Sequence, residues 1–382
     1  MTPAEAFRQQ GRACGALGSP MYADLCALLA DDLAAGGPTA RVLSGHLGSR
    51  GPDALALRLL GAVHRLVLER RAGSLATFYP SVGGTWAPAG GGAAVLALLE
   101  RSLDDPELGG EVAAGLALPP QTNEPGRAAA LVGALLHLPD EHRLPVHLVE
   151  LGASAGLNLR ADHVRITGAG PLGPLAQGPE DAGVRLDDAW RVAAGSSGGS
   201  SGAGGPWVPR AWPDLRFAAR SGVDIAPVDA ASPEGRLRLG SYVWPDQRER
   251  WERLRAALAL AAQVPIDLRR GDAAEAVEAL EPVDGALTVV WHSVVRQYLP
   301  APTQERLDAA LDRLLAAARP DAPVAHVSLE PRRLAPGEPH RFVVTLRARR
   351  GGAAGDADAG TIDAVLGTAA PHGVPCVWGA VG

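Results

Sequence analysis

The stretch Val146-His-Leu-Val-Glu150-Leu-Gly152-Ala153-Ser154-Ala-Gly156-Leu-Asn158 concentrates the residues best placed to do chemistry. An apolar run reads as a strand, ends in a carboxylate, and passes through a turn of small residues into a helix start. Small side chains let a ligand approach the backbone. The free N–H groups of a helix start add partial positive charge. Acids and a histidine recur downstream, each near the end of an apolar run. Asp224 lies in Ser221-Gly-Val-Asp224-Ile-Ala-Pro227, with Asp229 as its rival; Asp272 and Ala273 close Arg270-Gly-Asp272-Ala273; His292 follows Leu287-Thr-Val-Val-Trp. Open α/β sheets bind ligands beyond the carboxyl ends of their strands. Glu150, Asp224, Asp272 and His292 can therefore share one rim.

Three patterns compete for the turn. Glu150-x-Gly152-x-x-x-Gly156 resembles the cofactor turn of class I S-adenosylmethionine (SAM) methyltransferases, with Ser154 where a middle glycine is commoner. That resemblance implies that Glu150, Gly152, Ala153, Ser154, Gly156 and Asn158 floor the cofactor. It also implies that Asp224 accepts bonds from ribose hydroxyls and that Asp272 with Ala273 grips the adenine. The dinucleotide pattern G-x-G-x-x-G is not met. Gly152-Ala-Ser154-Ala-Gly156 does meet G-x-S-x-G, which would make Ser154 the nucleophile of an α/β-hydrolase. Such an enzyme builds several strands before its nucleophile, whereas the residues before 145 carry helical patterning. Its upstream oxyanion segment is also missing, since Gly83-Gly84 has no histidine beside it. The SAM reading is preferred. A non-catalytic SAM-fold binding protein is a further alternative, because a fold does not guarantee activity.

The elements that must position these residues change character near Pro145. Apolar residues at helical spacing mark 20–33, 53–70 (with Asp53 as N-cap), 93–103 and 124–138, giving an α-helical domain over 1–140. Residues 141–382 alternate strands with helices. Strands are expected at 146–151, 222–228, 265–272, 287–290, 324–329, 342–349 and 374–378, with helices at 253–262 and 303–318. The fold class is α/β: a Rossmann-like SAM-methyltransferase sheet of about seven mostly parallel strands. An insertion near 161–216, with Gly/Ser-rich 195–205 inside it, reads as a flexible surface loop.

Composition narrows the partners. The 36 basic residues are all arginine, the formal charge is −6, and the pI is about 5.9. No basic field exists to gather phosphates, so no nucleic-acid partner is expected. Cys14, Cys26 and Cys376 are too scattered for a disulfide framework or a zinc site, and no metal is expected. The polar start, Met1–Arg12, and the lack of a long uncharged apolar run lead to an expectation of no leader, no membrane span and a cytoplasmic location.

Methyl transfer from a sulfonium needs alignment and sometimes the loss of one proton. His292 is the candidate base, because an imidazole titrates near neutral pH. Asp246, in Tyr242-Val-Trp-Pro-Asp246-Gln247, is the second catalytic candidate, with helix capping as its plainer role. Gln121, Asn123, Glu124 and Arg127 could reach the cofactor carboxylate, and Tyr79 and Tyr298 could wall a pocket. The acceptor expected is a small molecule. The chain also resembles a bacterial family catalogued as domain of unknown function 2332. The resemblance rests on Phe7-Arg-Gln9, Gly18–Tyr22, Leu59–His64, Phe78–Gly83, Gln121–Glu124, Glu150–Leu159, Tyr242–Gln247 and His292–Val295. It implies a helical N-terminal part joined to a methyltransferase-like domain, and it implies no substrate.

Overall fold

The computed structural model describes residues 1–48, 54–117, 120–193, 208–335, 337–351 and 361–379. Two compact units form: Met1–Thr122 with Ser232–Leu254, and Asn123–Ala231 with Arg255–Gly382. Residues 123–140 fall in the unit that carries the sheet, and the later segment 232–254 falls in the helical unit.

The helical unit comprises α1 (Pro3–Ala16), α2 (Pro20–Ala34), α3 (Pro38–Val42), α4 (Leu55–Leu68), α5 (Pro88–Asp104), α6 (Pro106–Ala117) and, later in the chain, α8 (Pro233–Ser241). Several starts share one device: a hydroxyl cap followed by proline, whose fixed φ and missing N–H suit the first turn. Thr2, Ser19 and Ser232 each accept a backbone N–H from the first turn of α1, α2 and α8. In α1 the cap is reciprocal, since Thr2 N–H donates to Glu5 Oε2 at 2.6 Å. Phe7, Met21, Leu25, Leu59, Val63 and Leu98 fill the core. Asp53, the expected cap of α4, lies outside the described residues; Ala54 precedes that helix with φ 46°.

The second unit carries α7 (Ala128–Leu135), α10 (Ala273–Glu278), α11 (Ala301–Ala316) and the strands; the division falls within α9 (Arg248–Ala261). The strands are β1 (Val146–Leu151), β2 (Val164–Gly170), β3 (Gly173–Gln177), β4 (Val184–Val192), β5 (Phe217–Asp224), β6 (Asp267–Arg270), β7 (Leu287–Ser293), β8 (Val324–Arg332), β9 (Arg341–Arg349), β10 (Ile362–Ala369) and β11 (Cys376–Trp378). They build one mostly parallel sheet in the order β3-β2-β4-β11-β10-β9-β8-β7-β1-β5-β6. Eleven strands replace the expected seven or so. The four additions are β10 and the trio β2–β4, which occupies the region read as a flexible loop. These strands are half exposed and carry Gly, Pro or Asp where a buried strand would carry Val or Ile, so the apolar signal is weak. Residues 195–205 lie outside the described residues.

The run β6-β5-β1-β7-β8 is parallel throughout. From β1 the chain builds outward on one side, then crosses over to β7 and builds on the other. Val149, Leu151, Val223, Val290 and Val324 pack beneath Ala274 and Val277 of α10 and Leu307, Leu311 and Leu314 of α11. Side chains alternate along a strand. Glu150 and Trp291 therefore point to the opposite face, while His292, His326 and Glu330 share the α11 face. No helix among the described residues is long and apolar enough to cross a membrane.

Candidate functional site

The turn after β1 is strongly bent. Gly152, Ser154 and Gly156 all take left-handed backbone, with φ 65°, 51° and 63°. For Ser154 that conformation is costly, so its surroundings must hold it. They do so from several sides. Asp224, the last residue of β5, accepts the Ser154 N–H on Oδ2 at 2.8 Å and the Ala226 N–H on Oδ1 at 2.8 Å. Ser154 O in turn accepts the Val228 N–H, and Val223 O accepts that of Ala153. Asn123 Oδ1 accepts the Leu157 N–H at 2.7 Å, and Arg160 donates to Gly156 O at 2.8 Å.

The helix expected after the turn is instead a short 3-10 element, Leu157–His163, kinked at Arg160. Its first N–H already belongs to Asn123. The helix-start dipole invoked from sequence is therefore short, and part of it is spent inside the protein. Glu124 caps its own turn, accepting the Gly126 N–H at 3.4 Å. Arg127 reaches the end of β7, donating to Ser293 O at 3.3 Å and Pro371 O at 3.2 Å.

Glu150 sits opposite Trp291 in the β1–β7 register and is 2% exposed. Its Oε2, Asn158 Oδ1 and Trp291 Nε1 are all buried without a hydrogen bond of ordinary geometry. Burial pushes the Glu150 carboxyl up to about 8, with nearby Trp291, Asn158 and the Arg127 charge pulling it part of the way back. A buried carboxyl oxygen without a hydrogen bond of ordinary geometry is unusual, because buried polar atoms are almost always paired.

Asp272 stands at the same rim as Asp224: β5 and β6 pair through Asp224 and Arg270, and Gly271 N–H donates to Asp224 O. Asp272 Oδ1 caps α10, accepting the Ala274 and Glu275 N–H groups at 2.9 and 3.1 Å, and Ala273 opens that helix. His292, next to last in β7, lies on the opposite sheet face from Glu150. Its Nδ1 meets Glu330 Oε1 at 2.8 Å and its Nε2 meets His326 Nε2 at 3.0 Å. Glu330 and His326 were not singled out from sequence. Both lie inside an apolar-looking strand, and only the β7–β8 pairing reveals their bond to His292.

Asp246 falls in the helical unit, where it accepts the Ser19 hydroxyl at 2.7 Å and the Met21 N–H at 3.0 Å. Its neighbours are structural there too. Tyr242 packs flat against Gly61, Trp244 lies 5.9 Å from the Tyr22 ring, and Gln247 donates to Leu17 O. Tyr79 is buried in the same core, while Tyr298 is largely exposed.

The rim acids and the turn thus belong to one unit and come together there. At this point comparison with known proteins adds one fact: residues 4–378 match the family model described as an uncharacterized protein conserved in bacteria, DUF2332. The chain belongs to that family. No curated protein matches the DUF2332 chain, and no solved structure does.

Proposed function

We propose that this DUF2332 protein binds SAM on the turn Gly152–Gly156 and transfers its methyl group to a small-molecule acceptor. The observation that carries the reading is Glu150: a buried strand-end carboxyl with an orphaned oxygen, set where the chain reverses its direction of building between β1 and β7. Parallel sheets wound in this order bind nucleotides at that crossover, and the β6-β5-β1-β7-β8 order supports a Rossmann-like assignment. The residues suit such a cofactor. Glu150 would face its cationic amino group, Asp224 its ribose hydroxyls, and Asp272 with Ala273 its base. Asp224 spends one lone pair per oxygen on the turn and keeps others free to accept. When bound, the cofactor supplies an electrophilic methyl on a positively charged sulfur. His292, the base expected from sequence, has both ring nitrogens engaged on the other sheet face and takes no part in this step. A cytoplasmic location goes with this reading.

Melting of the full chain with SAM and with S-adenosylhomocysteine tests it. At ligand about 100-fold above Kd the stabilisation should be about 2.7 kcal/mol, and Glu150→Ala should remove it. The positive φ of Ser154 favours a second reading, the nucleophile elbow of a hydrolase. No response to either ligand, together with fluorophosphonate labelling of Ser154, would replace the first reading with the second.

A further inference from the structure

The segment that follows β7 takes a backbone conformation that its residue type resists. Val294 has φ 56°. A β-branched residue in the left-handed region is an outlier, and its surroundings must enforce it. Both flanks of Val294 are tied. On the near side, Arg127 donates to Ser293 O at 3.3 Å and to Ser293 Oγ at 3.4 Å. On the far side, Gln304 donates to Arg296 O at 3.2 Å and to Leu299 O at 2.9 Å. The Val294 N–H itself donates to Leu329 O of β8 at 2.9 Å.

One side chain closes the bend. Left-handed Val294 is followed by right-handed Val295, with φ −113° and ψ −34°. Such a pair turns successive N–H groups inward to form a nest for an anion. The anion is Glu330, whose Oε1 accepts the Val295 N–H at 3.0 Å and the Arg296 N–H at 3.3 Å, and meets His292 Nδ1 at 2.8 Å. Glu330 is buried, and burial opposes its charge, yet these bonds hold its carboxyl below the usual range. An ionised acceptor makes bonds roughly twice as strong as a neutral one. The nest in turn places Val295, whose Cγ2 and Cβ occupy the space where a side chain on Gly152 would begin.

We infer that Glu330 is a positioning residue: its carboxylate holds the 293–296 nest, and the nest seats Val295 as an apolar wall beside the turn Gly152–Gly156. The clamp is independent of any ligand, whereas its service to a methyl donor rests on the SAM reading. There Val295 shapes the space beside the turn and keeps water from it. Glu330 touches no cofactor and acts through Val295. Without the carboxylate, valine at 294 leaves the left-handed region; glycine occupies it without strain.

The test compares Glu330→Gln, Val294→Gly and the double variant in the full chain. Its first readout, without ligand, is the hydrogen-exchange protection of the N–H of residue 294, which Leu329 O accepts and Glu330 does not touch. Protection should fall about tenfold in Glu330→Gln and recover to within about threefold in the double variant. The Kd for SAM, by calorimetry, should follow the same pattern: about tenfold weaker in Glu330→Gln, and near the natural value in Val294→Gly and the double variant. Should Glu330→Gln fail to fold, adding Val294→Gly must restore the fold. Unchanged protection in Glu330→Gln, a loss that Val294→Gly does not recover, or SAM bound equally well by Glu330→Gln overturns the proposal. If the natural chain binds no SAM, the methyl-donor reading falls, and the exchange pattern alone decides whether Glu330 holds the nest.

Discussion

Asp224 Oδ2 accepts the backbone N–H of Ser154 at 2.8 Å, so the acid that ends β5 also holds the turn that follows β1. One carboxylate thus links two strand ends, and its loss should be felt before any ligand is added. Asp224→Ala leaves two N–H groups without their acceptor, and chemical denaturation should show a loss of about 1–3 kcal/mol for the buried Ser154 bond alone. Asp224→Asn keeps one acceptor oxygen and should lose less. A variant as stable as the natural protein would mean that the turn is held by other contacts.

Glu150 makes stability depend on pH in the direction opposite to an ordinary paired acid. Its carboxyl titrates at about 8 in the fold against 4.5 when free, so the folded chain keeps a proton that the unfolded chain sheds between those values. Stability is lost as pH climbs through that window, at roughly 1.4 kcal/mol per unit at most. Glu150→Gln should flatten this component and raise the melting temperature at pH 8 more than at pH 5. A cationic ligand beside Glu150 should ionise it, so SAM binding below pH 8 should release a proton, measurable by calorimetry in buffers of differing ionisation enthalpy.

Gly152 leaves no room for a side chain: a Cβ there would meet Val295 Cγ2, and the backbone is left-handed. Gly152→Ala should cost about 1–2 kcal/mol for the conformation alone, plus the contact. Adding Val295→Ala should recover only the contact, giving a coupling of about 1 kcal/mol in a double-mutant cycle. Strict additivity would show that the turn yields freely.

Ser154→Gly separates the two readings of the turn. Glycine removes the left-handed penalty while retaining the N–H that Asp224 accepts, so stability should stay level or rise by up to about 1 kcal/mol. Thermal stabilisation by SAM should persist in this variant. Loss of the SAM response with the fold intact would instead tie function to the hydroxyl.

Much of the central sheet was legible because buried parallel strands are apolar along their whole length. β1, β7 and β8 stand out in that way, and Glu150 and His292 lie near the ends of β1 and β7. β2, β3 and β4 did not stand out. Thr167, Gly168 and Asp187 lie on strands covered on one face only, where polar residues are tolerated and the period-two signal fades. The candidate site divided along similar lines. Glu150, Asp224 and Asp272 could be found from strand ends, whereas the His292–Glu330–His326 chain depends on register between strands 34–38 residues apart, which local spacing cannot reveal. Asp246 stands beside Tyr242 and Trp244, which pack against Gly61 and Tyr22, a contact that local spacing does not reveal.

The order β4-β11-β10 gives the shortest strand an outsized duty. Among the described residues β11 stitches the β2–β4 wing to the rest of the sheet, through three paired residues on each side. β4 ends at Val192 and β11 begins only at Cys376, so the wing's inner edge stays unpaired until synthesis has run far past it. An edge left open that long is a standing invitation to wrong partners, which gives its scattered Asp and Arg residues a protective use that the finished fold no longer displays.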